Sequence, residues 1–582
     1  MSQSNRPKNP ASDRLPSDTS QLTRRTLLAG GVAAGVSTAM LGAKAPSAAG
    51  APTGGPSAVP LKVPPFELEE ATIAALGDAM ASGRRTSQDL VRLYLRRIEE
   101  IDRSGPALHA VIELNPDALA IAEEMDRERK QKGPRGPLHG MPVLIKDNIA
   151  TEDRMETTAG SLALVGARPA ADAFLVSRLR AAGAVILGKT NLSEWANFRS
   201  TRSSSGWSGR GGQTKNPYVL DRTPSGSSSG TGAGIAASLA AAGIGTETDG
   251  SIVSPASANG LVGIKPTVGR VSRSGVIPIS SSQDTPGPMA RTVADAALLL
   301  AAITGSDPND PATVPLSGGS PALGDISALL DPQGLSGARL GVVRSQGFGR
   351  HPAVDLAIEA AIEAMRKAGA VVVDPVELVW SQEIRDAETI VLQYEFKDGL
   401  DKYLAALGTA TPVKSLRELI DWNLKNLDRE MPWFGQETFE ASAARGPLTD
   451  EAYQKARAKC IESARTLGLE ATFAKDRLDA IVTPTSGPAG PIDWLHGDRP
   501  VGGTAALAAI SGWPSISVPA GFALGLPFGI SFTGPAWSEG KLVRIAYAFE
   551  QITKVRRAPR YLPTLDTSQE HTPLPPVPKK AA

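Results

Sequence analysis

From Ser203 to Gly263 the chain is dominated by Gly, Ser, Ala and Thr, and this stretch constrains the fold more than any other. Side chains this small leave room for backbones to approach closely, so the segment must sit in tight contact with its neighbours. Its helix-like portion is expected over Thr231 to Ala242. A thin segment needs a core supplied from elsewhere, and 41% hydrophobic residues among 582 provide one. Only 12 Phe, 8 Trp and 7 Tyr are present, so much of that core must be Ala, Val, Ile and Leu. The 59 Gly and 46 Pro predict many tight turns.

On both sides of this stretch the signals alternate. From Phe66 to Asp126 apolar residues recur at helical spacing, with Ser87 and Asp89 near a start. Pro142–Lys146 and Ala184–Leu187 read as short buried strands, followed later by Ala480–Val482, Ser515–Val518 and Pro527–Ile530. Residues from about Val379 to Leu469 return to polar-faced helical patterns with Trp433, Phe434 and Tyr453 interspersed, an added helical layer. Alternation of this kind argues for an α/β layered sheet.

The N-terminus reads as an address. Residues 1–22 are polar; then Thr23-Arg24-Arg25-Thr26-Leu27-Leu28 leads into a mild apolar run ending near Ala43-Lys44-Ala45 and Ser47-Ala48-Ala49. This is the pattern of a twin-arginine export signal over 1–49, implying a periplasmic or secreted protein handed to the twin-arginine machinery. Gly30, Gly31 and Gly35 make the run too weakly apolar for a stable membrane anchor. The folded domain is expected over 60–560, with 561–582 as a loose tail. Lys and Arg total 61 against 60 Asp and Glu, a net +1 that excludes a basic nucleic-acid scaffold. A single cysteine, Cys460, excludes an intrachain disulfide framework.

Three motif matches compete. Gly183–Thr190 spells a phosphate loop, but Ala-Val-Ile-Leu between its glycines is a β-run, not a curl of amides around phosphate. Gly226-Ser227-Ser228-Ser229-Gly230 spells a nucleophile elbow, yet turn chemistry rather than a strand precedes it, and His351, His496 and His571 lack supporting motifs. The third match joins Lys146 after a buried strand, Ser225–Gly230, and Thr246-Glu247-Thr248-Asp249-Gly250-Ser251. A serine hydroxyl needs a base, and a desolvated neutral lysine is one. Ser251 opens a helix-like run to Ala258, where free backbone N–H groups can meet an oxyanion. Ser227 is placed to relay the proton between Lys146 and Ser251. The blander alternative for Lys146 is a buried ion pair with Asp147 or another acid.

Gly140–Asn148, Gly188–Asn191, Ser225–Gly230 and Gly263-Ile264-Lys265-Pro266-Thr267, in that order, resemble the amidase signature family. Trp207–Thr214, Gly245–Val253 and Ser282-Gln283-Asp284-Thr285 place the likeness nearest the family's bacterial peptide amidases, across about Phe66 to Arg557. The resemblance implies one large α/β/α domain around a mixed twisted sheet and a Ser-Ser-Lys triad whose relay serine follows a cis peptide bond. It assigns Ser251 as nucleophile, Ser227 as relay, Lys146 as base, Ser228 as support, and the amides of Thr248, Asp249, Gly250 and Ser251 as the oxyanion hole. No metal or cofactor is implied. Asp249-Gly250 and Val253 depart from the common pattern of two glycines before the nucleophile and an arginine two residues after it.

The expected activity is hydrolysis of primary amides, foremost C-terminal peptide amides, through an acyl-enzyme that releases ammonia. Hydrolysis of aryl or small aliphatic amides and esters keeps the same chemistry; a non-catalytic amide-binding protein would not need the intact serines and lysine. A transamidating subunit would not carry an export signal.

Overall fold

The computed structural model describes residues 58–313, 323, 325–499 and 503–566. The export signal expected over 1–49 lies outside them. The described residues fall within one compact unit.

Thirteen strands occur among the described residues: β1 (Val111–Leu114), β2 (Pro142–Lys146), β3 (Val185–Thr190), β4 (Trp207–Ser208), β5 (Gly212–Gln213), β6 (Ala242–Glu247), β7 (Val262–Lys265), β8 (Thr285–Ala290), β9 (Arg339–Val342), β10 (Val371–Val373), β11 (Ala480–Pro484), β12 (Ser515–Ala523) and β13 (Leu526–Thr533). Eleven form one sheet in the order β1-β3-β2-β6-β8-β7-β12-β13-β11-β9-β10, while β4 and β5 pair separately. The sheet is mixed: β2 runs parallel to β3 and β6, and β9 parallel to β10 and β11, with the other pairings antiparallel. Every residue of β2, β3 and β6 is buried, as their apolar or small-residue runs require for strands covered on both faces.

All six residues Val185–Thr190 are extended strand, so the phosphate-loop spelling is part of the sheet. The thin segment behaves as its composition demands. Helix Ser229–Ala236 lies directly on β6, where a Cβ on Gly243 would come within 2.8 Å of Thr231 and one on Gly245 within 2.7 Å of Ser228 Oγ. That helix is shorter than the expected Thr231–Ala242. It ends because Ser238 takes a left-handed conformation, after which Ala242 opens β6. The helical opening from Phe66 to Asp126 is likewise interrupted: helices Ile73–Ala81 and Ser87–Arg97 precede edge strand β1. Thr86 caps the second of them, with Asp89 returning the bond.

The added helical layer is present, led by Gln382–Ala406. Phe396, Leu400, Leu404, Leu416, Leu419 and Phe439 pack against Trp195 and Leu192 in a cluster separate from the main core. Trp513 is buried edge-on against Phe473, a core role, whereas Trp433 is half-exposed and stacks on Trp494. The boundary at 560 is corrected. Tyr561 and Leu562 are buried, their amides donating to Pro217 and Tyr218, so the packed chain runs on to Asp566. Residues 567–582 lie outside the described residues.

Candidate active site

Parallel strands β2 and β6 leave the sheet side by side, and side chains at their carboxyl ends face the same crevice, the usual ligand position in such sheets. Lys146 ends β2 and is fully buried. Its Nζ lies 2.8 Å from Ser227 Oγ, 2.9 Å from Thr246 Oγ1 and 3.3 Å from the Thr246 carbonyl oxygen. Burial pushes the amine down to about 7, against the opposing pull of Asp284 and Glu247. As an ammonium Lys146 donates to Ser227 Oγ and to both Thr246 oxygens; in its neutral form two N–H groups serve Thr246 and the lone pair can accept from Ser227. The alternative partner, Asp147, is turned away, accepting from Thr158, from the Gly160 amide at 3.2 Å and from Arg210 at 3.4 Å.

Ser227 follows a cis peptide bond from Gly226, as the family likeness implied. Ser228 is bonded on every side: its hydroxyl donates to the Thr246 carbonyl at 3.1 Å and accepts the Thr246 amide at 3.2 Å. Its own N–H donates to the Ser251 carbonyl at 3.2 Å, stitching the Ser251 turn to β6. This fits support rather than attack. The wire is incomplete at one point: among the described residues, the Ser227 and Ser251 hydroxyls make no direct hydrogen bond.

Ser251 lies in the turn between β6 and helix Val253–Ala258, two residues before the helix instead of opening it. Glu247, buried at the end of β6, is the reason. Its carboxylate takes the Ile252 amide at 2.8 Å and the Val253 amide at 3.0 Å, occupying the donors that the helix start would otherwise offer. Among the described residues no protein acceptor takes the N–H groups of Asp249, Gly250 or Ser251. Gly250 has φ +82°, and a Cβ there would meet Ser254 Oγ at 2.9 Å and Ala505 at 3.2 Å. Thr248 donates its hydroxyl to Asp284 at 2.5 Å; that carboxylate also accepts the Ile279 and Ser280 amides, and burial lifts it to about 6.

Beyond the turn lies a cavity of about 370 Å³, lined among others by Asp249, Gly250, Arg350, Trp380 and Arg385. Among the described residues no group of three or more His, Cys, Asp or Glu is placed to hold a metal ion, and no helix is long and apolar enough to cross a membrane.

Glu247, Thr246 and Asp284 escaped the sequence reading although they stand inside quoted words, because hydroxyls and acids in a motif do not announce what they bond. Arg385, which lines the cavity, stands on the distant helical layer, where no local pattern marks it.

The amidase family model matches residues 89–543. This chain belongs to the amidase family. The peptide amidase of Stenotrophomonas maltophilia superposes with a TM-score of 0.81 at 51% identity, covering 85% of this chain and all of that one. An amidase family protein of Bacillus anthracis superposes with a TM-score of 0.77 at 35% identity, covering 85% of this chain and 93% of that one. A probable amidase of Arabidopsis thaliana is 46% identical over 508 residues, 85% of this chain and 93% of the relative. This amidase is therefore an amidohydrolase with the family's α/β fold and a structural likeness to peptide amidase.

Proposed function

We propose that this amidase hydrolyses C-terminal peptide amides by a serine–serine–lysine mechanism. Ser251 Oγ attacks the amide carbonyl while its proton passes to Ser227 and the Ser227 proton passes to neutral Lys146. The carbonyl oxygen, now negative, meets the N–H groups of Thr248, Asp249, Gly250 and Ser251. Collapse breaks the C–N bond as the proton returns through Ser227 to the leaving nitrogen, releasing ammonia. Water, deprotonated along the same route, then cleaves the acyl-enzyme to acid and free Ser251.

The observation that carries this reading is Lys146 Nζ at 2.8 Å from Ser227 Oγ in a fully buried site, beside a turn with open amides. The mechanism requires the Ser251 hydroxyl to reach Ser227 Oγ when substrate is bound. The peptide-amide preference is supported by the likeness to the Stenotrophomonas enzyme over its full length. Export through the twin-arginine route is supported by Thr23–Leu28 and the weakly apolar run behind it.

Incubation with a peptide amide, a small aliphatic amide and an anilide, reading ammonia and aniline, tests the assignment. Faster ammonia release from the peptide amide is expected, with Ser251→Ala and Lys146→Ala inactive but folded. Preference for the anilide would move the substrate class, and turnover by Ser251→Ala would refute the nucleophile.

A further inference from the structure

Besides its ties to Ser228 and Asp284, the turn bearing the open amides is held from the helical layer. Arg385 and Glu388 stand three residues apart on Gln382–Ala406 and so share one face. Arg385 Nη1 meets Asp249 Oδ2 at 2.6 Å and Glu388 Oε2 at 2.9 Å. Glu388 Oε1 accepts from Gln283 Nε2 at 3.0 Å, and the same Gln283 amide donates to the Thr248 carbonyl at 3.2 Å. Consecutive residues of the turn are thus moored to one rigid element, one by its side chain and one by its carbonyl.

The carbonyl contact has a directional effect. The Thr248 C=O and the Asp249 N–H belong to one planar trans peptide, in which they point in opposite directions. Holding the carbonyl toward Gln283 therefore aims the Asp249 N–H the other way. We propose that Gln283, Glu388 and Arg385 form a positioning clamp that sets the direction of the turn's amides toward the developing oxyanion. The clamp rests on the serine–lysine reading above. Gln283 and Glu388 are buried and neither lines the 370 Å³ cavity, so they act on the turn without touching what binds there. The long helix is in this way more than a cover, because its placement reaches the transition state through two hydrogen-bonded side chains.

Steady-state kinetics on a peptide amide, run with thermal unfolding, test the clamp. Gln283→Leu and Glu388→Ala are expected to lower kcat about 10- to 100-fold, short of the roughly 100- to 1000-fold that outright loss of one oxyanion donor costs, with KM held within about twofold. Their unfolding midpoints should stay within a few degrees of wild type. Glu388→Gln keeps an acceptor for Gln283 and should recover most of kcat. A rise in KM with kcat intact would make these substrate contacts, and kcat falling only in step with the unfolding midpoint would reduce them to scaffolding; either result overturns the clamp. Should Glu388→Ala fail to fold, Gln283→Leu decides in its place. Ser251→Ala in the same assay separates the two layers. If it retains turnover, the serine–lysine reading itself fails. If it is dead while Gln283→Leu, Glu388→Ala and Arg385→Ala match wild type, the clamp alone falls.

Discussion

Lys146 shows how far burial alone can retune a side chain. Taking an ammonium out of water is costly, and with no acid in hydrogen-bonding contact the group sheds its proton, titrating at about 7. The sign follows directly: below that value the amine is charged and cannot accept from Ser227, and above it the amine is a base. We expect kcat/KM to rise through about pH 7 and then level, with Lys146→Met losing both turnover and the rise. A pH–rate profile flat across roughly pH 5 to 9 would remove lysine from the base role. Gly250 makes a second demand at this scale. Its φ of +82° and the 2.9 Å approach to Ser254 Oγ leave no room for a Cβ. Gly250→Ala is expected to cost about 1–3 kcal/mol in backbone strain and to cut kcat on the order of 100-fold, read by urea unfolding and by initial rates.

Among the elements, helix Val253–Ala258 is too short to persist alone and depends on what holds its start. Glu247 does this from the end of β6, accepting the two amides that follow Ser251. Glu247→Ala should destabilise by about 2–4 kcal/mol, two charge-assisted hydrogen bonds at about 1.5–3 kcal/mol each with partial replacement by water, and should lower kcat. Equal stability of mutant and wild type in urea would show that water substitutes fully. The helical layer has its own core, in which Phe439 stacks on Phe396 and meets Trp195 edge-on. Phe439→Ala is expected to cost about 3–5 kcal/mol by equilibrium unfolding, the usual range for emptying a large aromatic site.

For the molecule as a whole, the segment Tyr561–Asp566 closes the fold. Tyr561 sits at the margin of the core with its hydroxyl 3.0 Å from buried Arg97, and Leu562 pairs beside Val219. Truncation after Arg560 should therefore lower the thermal midpoint, since burying a large apolar side chain contributes about 1.5–3 kcal/mol and two are lost. An unchanged midpoint would restore a domain boundary at 560. Sequence alone suggests that boundary because Pro-rich, charged residues surround two apolar ones, and a pair is too short to show periodicity. Strands β1, β9 and β10 are hidden similarly, being four residues or fewer with no turn signal to bracket them. By contrast β2, β3 and β12 are legible, because strands buried on both faces are written as continuous apolar runs. By itself the sequence determined the layered α/β class and the thin segment's tight contact and marked Lys146, Ser227 and Ser251 as candidates, since composition, periodicity and motif words are local properties. The tertiary structure alone decided which amides of the turn stay open, that Glu247 rather than solvent caps the helix, and that Gln283, Glu388 and Arg385 grip Thr248 and Asp249. Those contacts join residues far apart in the chain, and only the packing of one element on another sets the directions in which their hydrogen bonds point.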